Sequence, residues 1–149
     1  MSIQNKQRIL AEAAAQVKSL RDLINAGGGS EEPAYAALDE AIKEVEAASG
    51  EAVDRLLPAT AERGLGFRRA KSGKNFWQVY REHILKEICN PRGKTYKMLK
   101  QSSVLTASAA VTAVVSALSL PLTAIPLAVP IAAMLLVKGL DAFCEVNRR

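Results

Sequence analysis

Residues 101–137 read QSSVLTASAAVTAVVSALSLPLTAIPLAVPIAAMLLV, 37 positions without one charged side chain between Lys100 and Lys138. The run is too long for one buried helix and about right for two short spans. Ser119-Leu120-Pro121-Leu122 supplies the reversal, and Pro126 and Pro130 fall early in the second arm. Each arm then has about 16–18 residues, or about 24–27 Å at 1.5 Å per residue. A bilayer core is about 30 Å thick, so both arms stand at the short end of the spanning range. Cations flank the run: Arg92, Lys94, Lys97 and Lys100 before it, Lys138, Arg148 and Arg149 after it. The uncharged turn and the basic flanks predict a membrane hairpin with both ends cytoplasmic. Arg92, Lys94, Lys97, Lys100 and Lys138 are the expected membrane-surface cations, since anionic lipid attracts each by about 1 kcal/mol. The alternative is a buried central hairpin in a water-soluble bundle, as some toxins keep until they insert.

The two arms differ. Thr106, Ala110, Ala113 and Ala117 give the first a small-residue face, the kind that lets helices approach closely in lipid. Ser108, Thr112 and Ser116 recur every four residues as a hydroxyl stripe. Several hairpins in a ring could turn that stripe toward a lumen, which makes these three the candidate pore-lining residues. The competing expectation is that the hydroxyls bond back to their own helix or glue the arms of one hairpin. The second arm, with Leu127, Val129, Ile131, Met134, Leu135, Leu136 and Val137, is bulkier and suits a lipid-facing position.

Upstream the pattern is helical throughout, and no alternating strand pattern of useful length occurs. Ile3, Leu10, Val17 and Ile24 recur every seven residues with Ala13 and Leu20 between them, a seam in the coiled-coil style. Gly27-Gly28-Gly29 ends that first helix near Asn25. Ser30, Glu31, Glu32 and Pro33 suit the start of a second helix, with Ser30 as N-cap. It continues to about Ser49 with Leu38, Ile42 and Val45 on one face. A third, short helix is expected from Glu51 to Leu57. A fourth runs from Asn75 to Cys89, carrying Phe76, Trp77, Tyr80, Ile84 and Ile88. A fifth starts at Thr95 and is expected to continue unbroken into the apolar run. The fold class is therefore all-α: a cytosolic helical bundle followed by a C-terminal transmembrane hairpin. Its parts are an N-terminal helical region over 1–63, a basic loop and juxtamembrane helices over 64–101, the hairpin over 102–140 and a cytosolic tail over 141–149.

Charge is distributed unevenly along these parts. Residues 1–62 carry six Lys/Arg against eleven Asp/Glu, residues 63–100 eleven against two, and residues 101–149 three against two. Arg68, Arg69, Lys71 and Lys74 lie in a glycine-punctuated loop more than 25 residues upstream of the first span, where attraction to the membrane surface is one of three explanations and a less compelling one than for Lys94, Lys97 and Lys100. They form a candidate site for an anionic nucleotide or oligonucleotide ligand, with the acidic region of a neighbouring subunit as the other partner. A phosphate-binding loop is excluded. Six residues separate Gly66 from Gly73 where the motif needs four, and Asn75 stands in the place of Ser/Thr.

Neither catalysis nor a metal or other cofactor is expected. His83 is the only histidine, and its plain reading is a helix-surface residue beside Glu82 and Glu87. Cys89 and Cys144 match no zinc spacing. Two distant thiols make no disulfide framework, so a reduced, cytosolic setting is expected. The N-terminus lacks the apolar stretch of a signal peptide.

A short charged helical region followed by a small-residue-rich two-span hairpin resembles the small membrane effectors of bacterial antiphage defence. That resemblance implies a homo-oligomeric pore or channel in the inner membrane, gated when the cytosolic helices sense a nucleotide-derived signal or a protein partner. Two other functions fit the same pattern: a membrane-anchored adaptor recruiting a protein partner, and a soluble helical interaction domain with a buried hairpin.

Overall fold

The computed structural model describes residues 3–53, 73–101 and 105–146. In these stretches the chain is all-helical, with no strand among the described residues. Seven α-helices are described: α1 (Ile3–Ala26), α2 (Glu32–Ser49), α3 (Gly73–Ile88), α4 (Lys94–Gln101), α5 (Ala107–Leu118), α6 (Ala128–Lys138) and α7 (Leu140–Val146). A 3-10 segment, Leu122–Leu127, joins α5 to α6. The expected basic loop over 64–74 and most of the third helix expected after Glu51 lie outside the described residues.

The apolar run forms the centre of the bundle. From Ala128 to Leu135 every side chain of α6 is buried, so this stretch is apolar and enclosed on all sides, while Leu136, Val137 and Lys138 beyond it are half-buried. Helices α1, α2, α5 and α7 pack around it. Helix α1 contributes Ala13, Ala14, Val17, Leu20 and Ile24, all buried in one continuous core with α5 and α6. The sevenfold seam is thus taken up within the chain. Its spacing gave the buried face from Ala13 to Ile24, and the surface it meets is the chain's own hairpin. The N-terminal helices and the hairpin, expected as separate regions, share this core.

Helix α3 packs on the first arm, α5, and on α2. Phe76, Trp77, Tyr80, Ile84 and Ile88 are all buried, with Phe76 and Tyr80 rings 4.7 Å apart. Its start is fixed against α2 by a close approach. A Cβ on Gly73 would run into the Tyr35 carbonyl oxygen and the Leu38 Cβ, so only glycine fits. There the Gly73 N–H donates to Asp39 Oδ1, which satisfies a backbone donor that the first turn of a helix leaves unpaired.

Three expectations about the hairpin are corrected. First, the helix entering it does not continue from α4. Thr106 adopts an extended conformation (φ −98°, ψ 159°), and its hydroxyl accepts the Ala109 N–H at 3.1 Å, starting α5 afresh. A good N-cap residue interrupts the run even though its neighbours are apolar. Second, the arms are shorter than expected. Helices α5 and α6 have 12 and 11 residues, about 18 and 16 Å long. Ser119 is left-handed (φ 51°) and closes α5, and residues 122–127, with Pro126 among them, wind as the tighter 3-10 form. The apolar pair turns through 118°, and no single helix among the described residues is long and apolar enough to cross a membrane. Third, residues 140–146 are a helix and not a tail. Gly139 takes φ 81°, ψ 160°, a conformation that side chains disfavour, and redirects the chain so that α7 folds back on α6.

Other elements follow the sequence closely. Helix α2 ends at a left-handed Gly50, whose N–H bonds the Glu46 carbonyl. Ser30 stands one place further out than expected: its hydroxyl accepts the Glu32 N–H at 3.3 Å, while Glu31 holds the cap position.

Candidate functional site

The apolar hairpin lies at the centre of the core, and four links hold its ends in place. At the far end of α6, Lys138 Nζ lies 2.9 Å from Glu31 Oε2, where α2 begins. Both groups are partly buried, at 23% and 30% exposure, so water screens the pair less than a surface ion pair. The Tyr35 hydroxyl donates to the other Glu31 oxygen at 3.2 Å. Burial, and then the Glu31 carboxylate beside it, push the Tyr35 phenol up to about 12, with Glu32 adding and Arg81 opposing.

At the turn end, His83 Nε2–H donates to the Ala117 carbonyl at 3.0 Å. That carbonyl belongs to the last turn of α5, where a helix leaves its acceptors unpaired. The lone histidine is therefore not the plain helix-surface residue that was expected. It is half-buried and ties α3 to the first arm. No sequence signal marked it, because its partner is a backbone atom 34 residues away.

Cys89, at the end of α3, and Cys144, in α7, form a disulfide with Cα atoms 5.7 Å apart. The expectation of two free thiols is overturned. The chain between them runs out through α4 and α5 and returns through α6 and α7, bringing together residues 55 apart. Trp77 packs beside this link, with its ring 6.0 Å from that of Phe143. The fourth link, Lys100 to Asp141 at 2.8 Å, joins α4 to α7 at the surface. The Asp141 hydrogen bond raises the Lys100 pKa above its ordinary value.

The residues singled out in the sequence are not gathered in one place. Ser108, Thr112 and Ser116 line the exposed face of α5, opposite buried Ala107, Ala110, Val111, Ala113, Val114 and Ala117. Thr106, read as part of the small-residue face, is the exposed cap. Arg68, Arg69 and Lys71 lie outside the described residues; Lys74 is exposed on the first turn of α3. Arg92, Lys94 and Lys97 are exposed in and beside α4, whereas Lys100 and Lys138 are each paired with a carboxylate. Among the described residues no group of three or more His, Cys, Asp or Glu is placed to hold a metal ion.

No protein family, curated protein or solved structure matches the chain.

Proposed function

We propose that this protein is a membrane-active effector that carries its apolar hairpin inside a helical bundle and forms an oligomeric pore when the bundle opens. The observation that carries this reading is the stretch Ala128–Leu135 of α6, in which every side chain is buried and none is polar. A helix apolar all round belongs either in a large protein's core or in a membrane. Exposing Leu127, Val129, Ile131, Met134 and Leu135 to water would cost about 1.5–3 kcal/mol each, about 10 kcal/mol together. An open bundle is therefore stable only where another apolar phase receives these side chains. To reach across a bilayer the 3-10 segment must rewind as α-helix and the first arm must take in residues before Thr106. Arms of 17–19 residues would then measure about 26–28 Å.

Once inserted, Ser108, Thr112 and Ser116 would leave water on the outside of the bundle for a lumen shared between copies. The basic flanks favour an inserted state with both ends on the cytoplasmic side of a bacterial inner membrane. A nucleotide-type ligand at Arg68, Arg69, Lys71 and Lys74, or a protein partner, is the proposed trigger. A role in antiphage defence is what the architectural resemblance adds.

The test is ion flux across vesicles of mixed anionic and neutral lipid, to which the purified chain is added. Flux that rises steeply with protein concentration is expected, with altered conductance in Thr112→Leu. The second reading, a helical interaction domain whose hairpin stays in its core, is favoured by the hydroxyl stripe, which is the polar face that a core-packed amphipathic helix needs in water. A tight bilayer at high protein density, with the chain left in the aqueous phase, would select that reading.

A further inference from the structure

Beside the roots of the hairpin, α4 has one buried apolar residue and one basic face. Leu99 is 3% exposed and points inward, while Lys94, Lys97, Met98 and Gln101, spaced three and four apart, share the outer face. Arg92, exposed in the turn just before the helix, adds a further cation. No acidic residue occurs from Arg92 to Gln101. Met98 is one of two large apolar side chains exposed among the described residues, and it sits among the cations. Lys100 does not belong to the set, because Asp141 answers its charge.

We propose that Arg92, Lys94, Lys97 and Met98 form a docking surface for an anionic lipid bilayer, laying α4 along the membrane at the base of the first arm. The three cations supply attraction to lipid headgroups, and Met98 supplies an apolar side chain able to enter the acyl boundary. A nucleic acid would use an aromatic ring for stacking. The ring on this helix, Tyr96, is half-buried with the Lys100 ammonium 5.9 Å from its centre, which favours lipid over a polynucleotide. The proposal rests on the membrane-active reading and adds where, and by which lipid charge, contact begins.

The experiment measures vesicle binding and ion flux separately, with the full chain. Sedimentation with phosphatidylserine-containing vesicles should show binding that weakens with salt and is lost with phosphatidylcholine alone. Each cation accounts for about a fivefold gain in partition, so the triple variant Arg92→Gln, Lys94→Gln, Lys97→Gln should bind about a hundredfold more weakly. These side chains are exposed and unpaired among the described residues, so its thermal midpoint should match that of the unaltered chain. Equal binding by the triple variant, equal binding to neutral vesicles, or capture of the chain by a single-stranded oligonucleotide in preference to vesicles overturns the docking surface. Charge-dependent binding without flux upholds the docking surface and sinks the pore. Flux that is unchanged in the triple variant does the reverse.

Discussion

Reducing the Cys89–Cys144 bond leaves both sulfur atoms in the core, where each residue is only 5% exposed, so native packing changes little. What changes is the unfolded chain, which regains the freedom of a loop spanning 55 residues. The chain-entropy relation runs from about 3 kcal/mol for a 15-residue loop to about 4.7 kcal/mol for a 100-residue loop. It places this link at about 4 kcal/mol. Domains of this size are stable by about 5–15 kcal/mol, so the bond carries a large share of the total. Urea unfolding followed by circular dichroism, with and without a phosphine reductant, measures the difference directly. The midpoint of thermal unfolding should fall by about 10 °C. Coincident transitions, with oxidation state verified by intact mass, would refute the reasoning. So would rapid maleimide labelling of the untreated, folded chain. The magnitude also bears on compartment, since a reducing cytosol would hold the bundle without this link and without its share of the stability.

Three further outcomes are expected. Gly73→Ala should destabilise by about 1–3 kcal/mol, because its Cβ meets backbone of α2 that cannot yield; Gly27→Ala, with nothing nearer than 3.6 Å, should stay within about 0.5 kcal/mol in the same urea assay. His83→Ala should cost about 1 kcal/mol by leaving the Ala117 carbonyl without its donor, read by urea midpoint and by faster amide exchange at the turn. The folded-state pKa of Tyr35 is raised from 10.0 to about 12, so its contribution to stability is present below pH 10 and is lost as pH rises toward 12. Tyr35→Phe should therefore flatten the alkaline limb of a stability-versus-pH curve over that window.

Much of the helical layout was legible because local chemistry sets it. The glycine at position 50 and the apolar spacing of Phe76, Tyr80, Ile84 and Ile88 act within a few residues. The reversal at Ser119–Leu122 was legible for the same reason, as Pro121 has no N–H to continue the hydrogen bonds of the helix before it. Periodicity could say that Val17 and Ile24 face something apolar, but not whether that surface lies in another chain or in α6. The disulfide, the His83 link and the Glu31–Lys138 pair join residues 34 to 107 apart, and no local pattern encodes such meetings. The hydroxyl stripe was visible from its spacing alone. Its direction was not, because a polar stripe on an apolar helix suits a lumen and a water-facing surface equally.

The packing of α1 against α6 has a consequence for how the protein is made. About a hundred residues separate Ile24 from Ile131, and at roughly 5–20 residues per second a ribosome needs about 5–20 s to cover that distance. During that interval α1 is outside the exit tunnel without the α5 and α6 surfaces that bury its apolar face. On the membrane-active reading proposed above, the hairpin then emerges between that waiting helix and any bilayer within reach, and the apolar surface that α6 meets first sets whether it is buried or inserted.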